Sequence, residues 1–272
     1  MTSLIGTRRT TRCPKAWTTC ERNVVSASTA EFAIRLGDDA LITGQRLCEW
    51  VSHAPMLEED LALSNVALDY LGRARMLYGY AGQITNQTED DFAYGRDARD
   101  FRNLLIVELP RGDFAFGMAR QYFLDVFEDL YFSSLIHSKD DELAAVAAKT
   151  EKEVRYHQRR SREWMLRLAL GTDESRRRLE SAVDELWGYV AELFLMDELE
   201  GELVEQGIGV NRAELEPEWL ARVQKLFDDI EMPLPTYEWR ITGGRTGMHT
   251  EHLGHLLSEM QFLQRTYPGL NW

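Results

Sequence analysis

The sequence predicts an all-α protein built on long antiparallel helices, and three observations carry that expectation. Apolar residues recur at helical spacing in segment after segment from about residue 30 onward. Four of the seven prolines (Pro217, Pro233, Pro235, Pro268) fall in the last quarter, so the earlier chain has long stretches where a helix runs unbroken. The longest strand-like run is the short apolar LLIVEL.

The first helix is expected in EFAIRLGDDALITGQRLCEWVSHA, ending near His53 and Pro55. A second follows in MLEEDLALSNVALDYLGRARMLYGYAGQI, whose opening acids suit the positive end of a helix dipole. Residues 84–112 read as a loop interrupted by LLIVEL. Asp113 then caps a third helix, FAFGMARQYFLDVFEDLYFSSLIHS. The fourth, LAAVAAKTEKEVRYHQRRSREWMLRLAL, stops at Gly171, and Thr172 with Asp173 opens a fifth. A shorter helix spans about 215–230, and MHTEHLGHLLSEMQFLQR forms the last. The expectation is one helical domain over 30–272. Residues 1–29, with two adjacent arginines and no apolar run behind them, are expected to be a disordered extension rather than an export signal.

Composition narrows the functions. A formal net charge of −14 disfavours nucleic acid and anionic membranes as partners. No stretch approaches the roughly 18 apolar residues of a membrane span. Cys13, Cys20 and Cys48 form no CxxC pair and read as free thiols of a reducing, cytoplasmic compartment.

Several carboxylates sit inside the apolar stripes, where a lone acid is costly. Asp39 lies beside Ala40 on the first helix. Asp69 and Gly72 share a side of the second with Asn65 and Met76. Asp125 stands one turn after Gln121 on the third, and Glu153 precedes Tyr156 and His157 on the fourth. One acid on each of four helices is the skeleton of a carboxylate-bridged di-iron site, which takes a lone Glu from two helices and Glu-x-x-His from the other two. Here Asp69-x-x-Gly72 and Glu153-x-x-Tyr156 stand where those pairs belong. The spacings Glu153/His157 and Glu251/His255 are four residues, and each reads first as a local pair on a helix surface. The stripe acids are expected to meet buried cations, with Lys149 and Arg73 as candidates. An alternative makes His157 and His255 ligands of an altered di-iron site with Asp39, Asp69, Asp125 and Glu153. A third gives the turn Gly243–Gly247 (GGRTG) to a phosphate, as in a CoA-binding module.

The stretches LEEDLALSNVALDYLGRAR, NLLIVELPRGDFAFGMARQYFLD, KTEKEVRYHQRRSREWMLRLALGTDES, LWGYVAELF and GGRTGMHTEHLGHLLSEMQFLQRTYPG resemble the C-subunit family of bacterial phenylacetyl-CoA epoxidases, from about residue 31 to Trp272. The resemblance implies a ferritin-like four-helix bundle with additional C-terminal helices. It implies a catalytic A subunit that holds the di-iron centre, a small B subunit, and a reductase using NADPH, FAD and an iron–sulfur cluster. The reaction implied is oxygen insertion across the ring of phenylacetyl-CoA, bound mainly by the A subunit. The C subunit is implied to be structural, with no cofactor of its own and a degenerate metal site, so no catalytic or metal residue is carried over to this chain.

Overall fold

The computed structural model describes residues 19–270, with side chains from residue 27. Among the described residues all regular structure is helical. Four long helices form the body: α1 (Thr19–Cys48), α2 (Leu57–Thr85), α5 (Phe114–Leu135) and α6 (Asp141–Leu170). Between α2 and α5 lie two short ones, α3 (Glu89–Tyr94) and α4 (Leu105–Glu108). After α6 come α7 (Asp173–Val190), α8 (Glu198–Gln206), α9 (Glu216–Asp229), α10 (Glu251–Met260) and α11 (Phe262–Thr266). This is the all-α, ferritin-like bundle with appended C-terminal helices that the sequence predicts.

Side chains write the helix ends. Asp113 accepts from the Phe116 amide at the start of α5, and Thr172 and Ser175 form a reciprocal capping box on α7. In the bundle α1 packs along α2, α5 along α6, α2 against α6, and α7 closes over α5. α5 is buried almost all round through its first fourteen residues, Phe114 and the exposed side of the last turns excepted, which makes it the central helix. Trp219 of α9 donates to the Phe123 carbonyl at 3.0 Å and anchors the C-terminal helices on α5.

Four details depart from the sequence reading. α1 begins at Thr19, inside the segment expected to lie outside the domain; residues 1–18 fall outside the described residues. α1 also ends at Cys48, short of His53. LLIVEL is not extended but supplies α4, whose four residues are all buried. The last predicted helix is two, α10 and α11, parted at Gln261. The Gln261 side-chain amide is buried and donates to the Ala93 and Arg96 carbonyls at 3.0 Å each, which bends the chain toward α3. No helix among the described residues is long and apolar enough to cross a membrane.

Candidate functional site

The interior acids and their partners form two connected polar clusters. The first lies where α2, α5 and α6 meet. Asp125 is fully buried, and Gln121, one turn before it, donates to its Oδ1 at 2.6 Å and to the Tyr70 hydroxyl at 3.0 Å. Tyr70 in turn donates to Glu128 Oε2 at 3.0 Å, and Arg73 closes the chain on Glu128 Oε1 at 2.9 Å. The Arg73 guanidinium is sandwiched between the rings of Tyr70 and Phe132, 4.5 and 4.7 Å from their centroids. Burial pushes the Asp125 carboxyl up to about 6 against the pull of His157. Burial and the Glu128 charge together push Tyr70 well up, so it stays a hydrogen-bond donor.

His157 is buried, stacks on Tyr70, and its Nε2 lies 3.0 Å from Asp69 Oδ2 across the α2–α6 seam. The local surface pairing expected for Glu153/His157 is therefore corrected. His157 reaches the other helix, and Glu153 pairs with Lys149 at 3.2 Å along α6. Glu251 and His255 are both exposed on α10 and stay a pair of surface positions.

The second cluster surrounds Asp39. Arg245, from the GGRTG turn, enters the bundle from the C-terminal side and meets Asp39 Oδ2 at 2.6 Å and Oδ1 at 3.2 Å. The Leu104 amide adds a third bond to Asp39 at 2.8 Å. Burial raises the Asp39 carboxyl against the pull of Arg245; burial also opposes the charge on Arg245, but Asp39 outweighs it and keeps the guanidinium ionised. Arg73, Arg212 and Arg245, with Asp39, Glu128 and Tyr131, line an interior cavity of about 30 Å³, room for a water molecule.

The GGRTG turn does cradle an anion, but the anion is the chain's own. The amides of Gly243 and Gly244 both donate to Glu192 Oε1 at 2.8 Å. The alternative that gave this turn to a phosphate finds the Gly243 and Gly244 amides already engaged. The TGMHTEHLG stretch likewise engages a carboxylate of the chain itself, through His249 and Thr250. Buried Glu108 accepts from the Thr250 amide at 2.6 Å, His249 Nδ1 at 2.7 Å and Asn103 Nδ2 at 2.9 Å. His249 Nε2 faces the Phe101 carbonyl at 2.9 Å, so both ring nitrogens face acceptors and the imidazolium satisfies both.

A di-iron centre can be tested against these residues. Gly72 has no side chain to ligate, and Tyr156 is an exposed residue of the outer face of α6. Asp39, Asp69, Glu128 and Glu153 each face a cation or His157 already. Among the described residues no three His, Cys, Asp or Glu side chains converge to hold a metal ion. Two added dications would face the fixed guanidiniums of Arg73 and Arg245, so the residues present do not fit the centre.

Of the two cations expected to be buried beside the stripe acids, Arg73 is buried but pairs with Glu128 instead of one of those acids, and Lys149 reaches Glu153 from an exposed position. Sequence reasoning missed Glu128, Arg245, Glu108, His249 and Asp38. Asp38 is fully buried beside Asp39, accepting from Tyr78 at 2.6 Å and the Arg102 amide at 2.8 Å and paired with Arg96. Glu128 carries a signal, seven residues after Gln121 and three after Asp125, on the same side of α5. Cys48 is a free, half-buried thiol; the side chains of Cys13 and Cys20 lie outside the described residues.

The comparisons with known proteins agree with this architecture. The family described as phenylacetic acid catabolic protein matches residues 14–272. A curated relative, the C subunit of the 1,2-phenylacetyl-CoA epoxidase of Escherichia coli (strain K12), is 47% identical over 242 residues, covering 89% of this chain and 98% of the relative. With the match running through the bundle and the C-terminal helices alike, the chain belongs to the phenylacetic acid catabolic protein family.

Proposed function

We propose that the chain is the structural, non-catalytic subunit of a phenylacetyl-CoA epoxidase. It supports a catalytic subunit that carries the di-iron centre, alongside a small third subunit and a reductase that delivers electrons from NADPH through FAD and an iron–sulfur cluster. The name and end-to-end likeness of the relative support the subunit assignment. One observation supports the non-catalytic part: four of the interior acids are matched by the chain's own groups, Arg245 on Asp39, Arg73 on Glu128, Lys149 on Glu153 and His157 on Asp69, while Asp125 is held by the neutral Gln121 amide. A catalytic bundle leaves such carboxylates for metal. Here the guanidiniums of Arg73 and Arg245 supply neutralising charge in place of metal. Phenylacetyl-CoA then reacts on the partner, and this chain's task is to hold that partner in its working shape.

The test is turnover of the reconstituted complex with a chain carrying Asp125→Asn and His157→Gln, which keep hydrogen-bonding groups in place but remove the titrating ones. The expected rate is within about twofold of wild type. A loss of about 10²-fold or more with the complex intact, the scale of a missing general base, contradicts the proposal.

A further inference from the structure

Buried donors with no acceptor of their own gather on the small interior cavity between α1, α2 and α5. Arg73, Tyr131 and Arg212 are 1, 2 and 2% exposed, and the Arg245 side chain is nine-tenths buried. All four line the cavity. Among the described residues, Nε and Nη2 of Arg73, Nε of Arg212, Nε of Arg245 and the Tyr131 hydroxyl find no hydrogen-bond partner. Arg73 is the fullest case. Tyr70 and Phe132 cover its two faces and Nη1 goes to Glu128. That leaves the whole Nε/Nη2 edge of the fork, an edge shaped to hold an anion through two N–H groups. Burial and the Glu200 charge push the Tyr131 phenol up, so it keeps its proton and donates.

Carboxylates stand among these cations and bear on what the cavity holds. Asp39 is taken by Arg245 at 2.6 Å, Glu128 by Arg73 at 2.9 Å and Glu200 by Arg212 at 2.6 Å. Two more whose fields reach these arginines are held elsewhere, Glu192 by the Leu105, Gly243 and Gly244 amides and Glu153 by Lys149. The three ion pairs cancel in charge, so an occupant is held by directed N–H and O–H bonds rather than by a net field. What the pairs leave over is donors. A water accepts roughly two hydrogen bonds and must place its own two hydrogens. Asp39 and Glu128, the carboxylates of the wall, already have both oxygens engaged, and the other wall side chains from α1 and α5 apart from Tyr131 are apolar. A monatomic anion only accepts. A volume of about 30 Å³, one water's share of the liquid, excludes phosphate, sulfate and carboxylates. We propose that this cavity is a halide site, binding one chloride against the Arg73 fork, the Tyr131 hydroxyl and the Nε groups of Arg212 and Arg245. The inference does not depend on the subunit role proposed above.

The test uses the full chain, transferred from chloride into gluconate, an anion too large for the cavity. Adding back chloride or bromide at constant ionic strength is expected to raise the Tm saturably, by about 5–10 °C at a roughly hundredfold excess over Kd. Tyr131→Phe keeps the ring and removes one donor. Its apparent Kd for chloride is expected to rise about tenfold, as loss of a hydrogen bond to a charged group does. Crystals grown in bromide are expected to show an anomalous peak between Arg73, Tyr131, Arg212 and Arg245. A peak there with no chloride-dependent shift in Tm is binding at crystal concentration only and overturns the inference. Equal chloride responses in wild type and Tyr131→Phe give the effect to other sites on the chain and also overturn it. So does a cavity that holds water and no bromide.

Discussion

Replacing Arg245 with Ala lowers the stability of the chain by about 3–5 kcal/mol, the scale for breaking a buried ion pair from one side. The reason is what remains behind. Asp39 sits in the bundle with the Leu104 amide as its only other hydrogen-bond donor among the described residues, and burial already raises its carboxyl. Without the guanidinium the carboxylate either stays charged in a poor solvent or takes up a proton. Arg245 also donates to the Arg102 carbonyl at 2.5 Å, so its loss frees the loop ahead of α4 from the C-terminal turn. In a chain of this size that loss is a fall in Tm of about 10 °C. The double variant Arg245→Met with Asp39→Leu is expected to recover most of it, because it removes the stranded charge together with its partner. Thermal denaturation of the two variants beside wild type decides the point.

Glu108→Ala is expected to cost a similar amount, about 3–5 kcal/mol, by a different route. It strands the charge of the His249 imidazolium and orphans the Thr250 amide in one step, and leaves the Asn103 amide with the Leu104 carbonyl alone. The region affected is the joint between α4 and α10, which Arg46 also ties, through the Glu108 and His252 carbonyls at 2.7 and 2.9 Å. The companion substitution His249→Ala carries a pH signature. Burial opposes the charge on His249, but the Glu108 hydrogen bond and charge outweigh it, and the folded-state pKa lies above the ordinary 6.5. The protonated pair therefore contributes fully below about pH 6.5, and the contribution is lost as pH rises through the folded-state value. The stability gap between wild type and His249→Ala is accordingly widest in mild acid and narrows in alkali. A gap that widens with pH contradicts the imidazolium assignment.

The helices were legible because their apolar periodicity and caps are local. Asp113 and Thr172 announce α5 and α7 by residue type alone. α4 was not, since all four of its residues are buried and a fully buried run has no period to read. The same division holds inside the bundle. Lys149–Glu153 is an i,i+4 pair and visible in the sequence. Asp39–Arg245, separated by 206 residues, and Glu108–His249, by 141, are made only by the tertiary fold. Asp125 drew notice as an acid in an apolar stripe, yet its partner Gln121 is neutral and its neighbour Glu128 belongs to Arg73. The turn GGRTG shows how a local pattern misleads: its amides suit an anion, and a carboxylate of α7's C-terminal extension, Glu192, takes the place a phosphate would.

Arg73 fills the middle with a planar cation held between two rings, a packing element as much as a charge. Where the skeleton calls for His, Gly72 opens the α2 surface and Tyr156 stands outside on α6.

The most direct test of the non-catalytic assignment is iron content per polypeptide, measured on the full chain purified alone from iron-replete cells. The expected value is near zero, unchanged by His157→Ala. About two irons per chain, the stoichiometry of a bundle di-iron site, lost on His157→Ala, would contradict it and return Asp39, Asp69, Asp125 and Glu153 to the role of ligands.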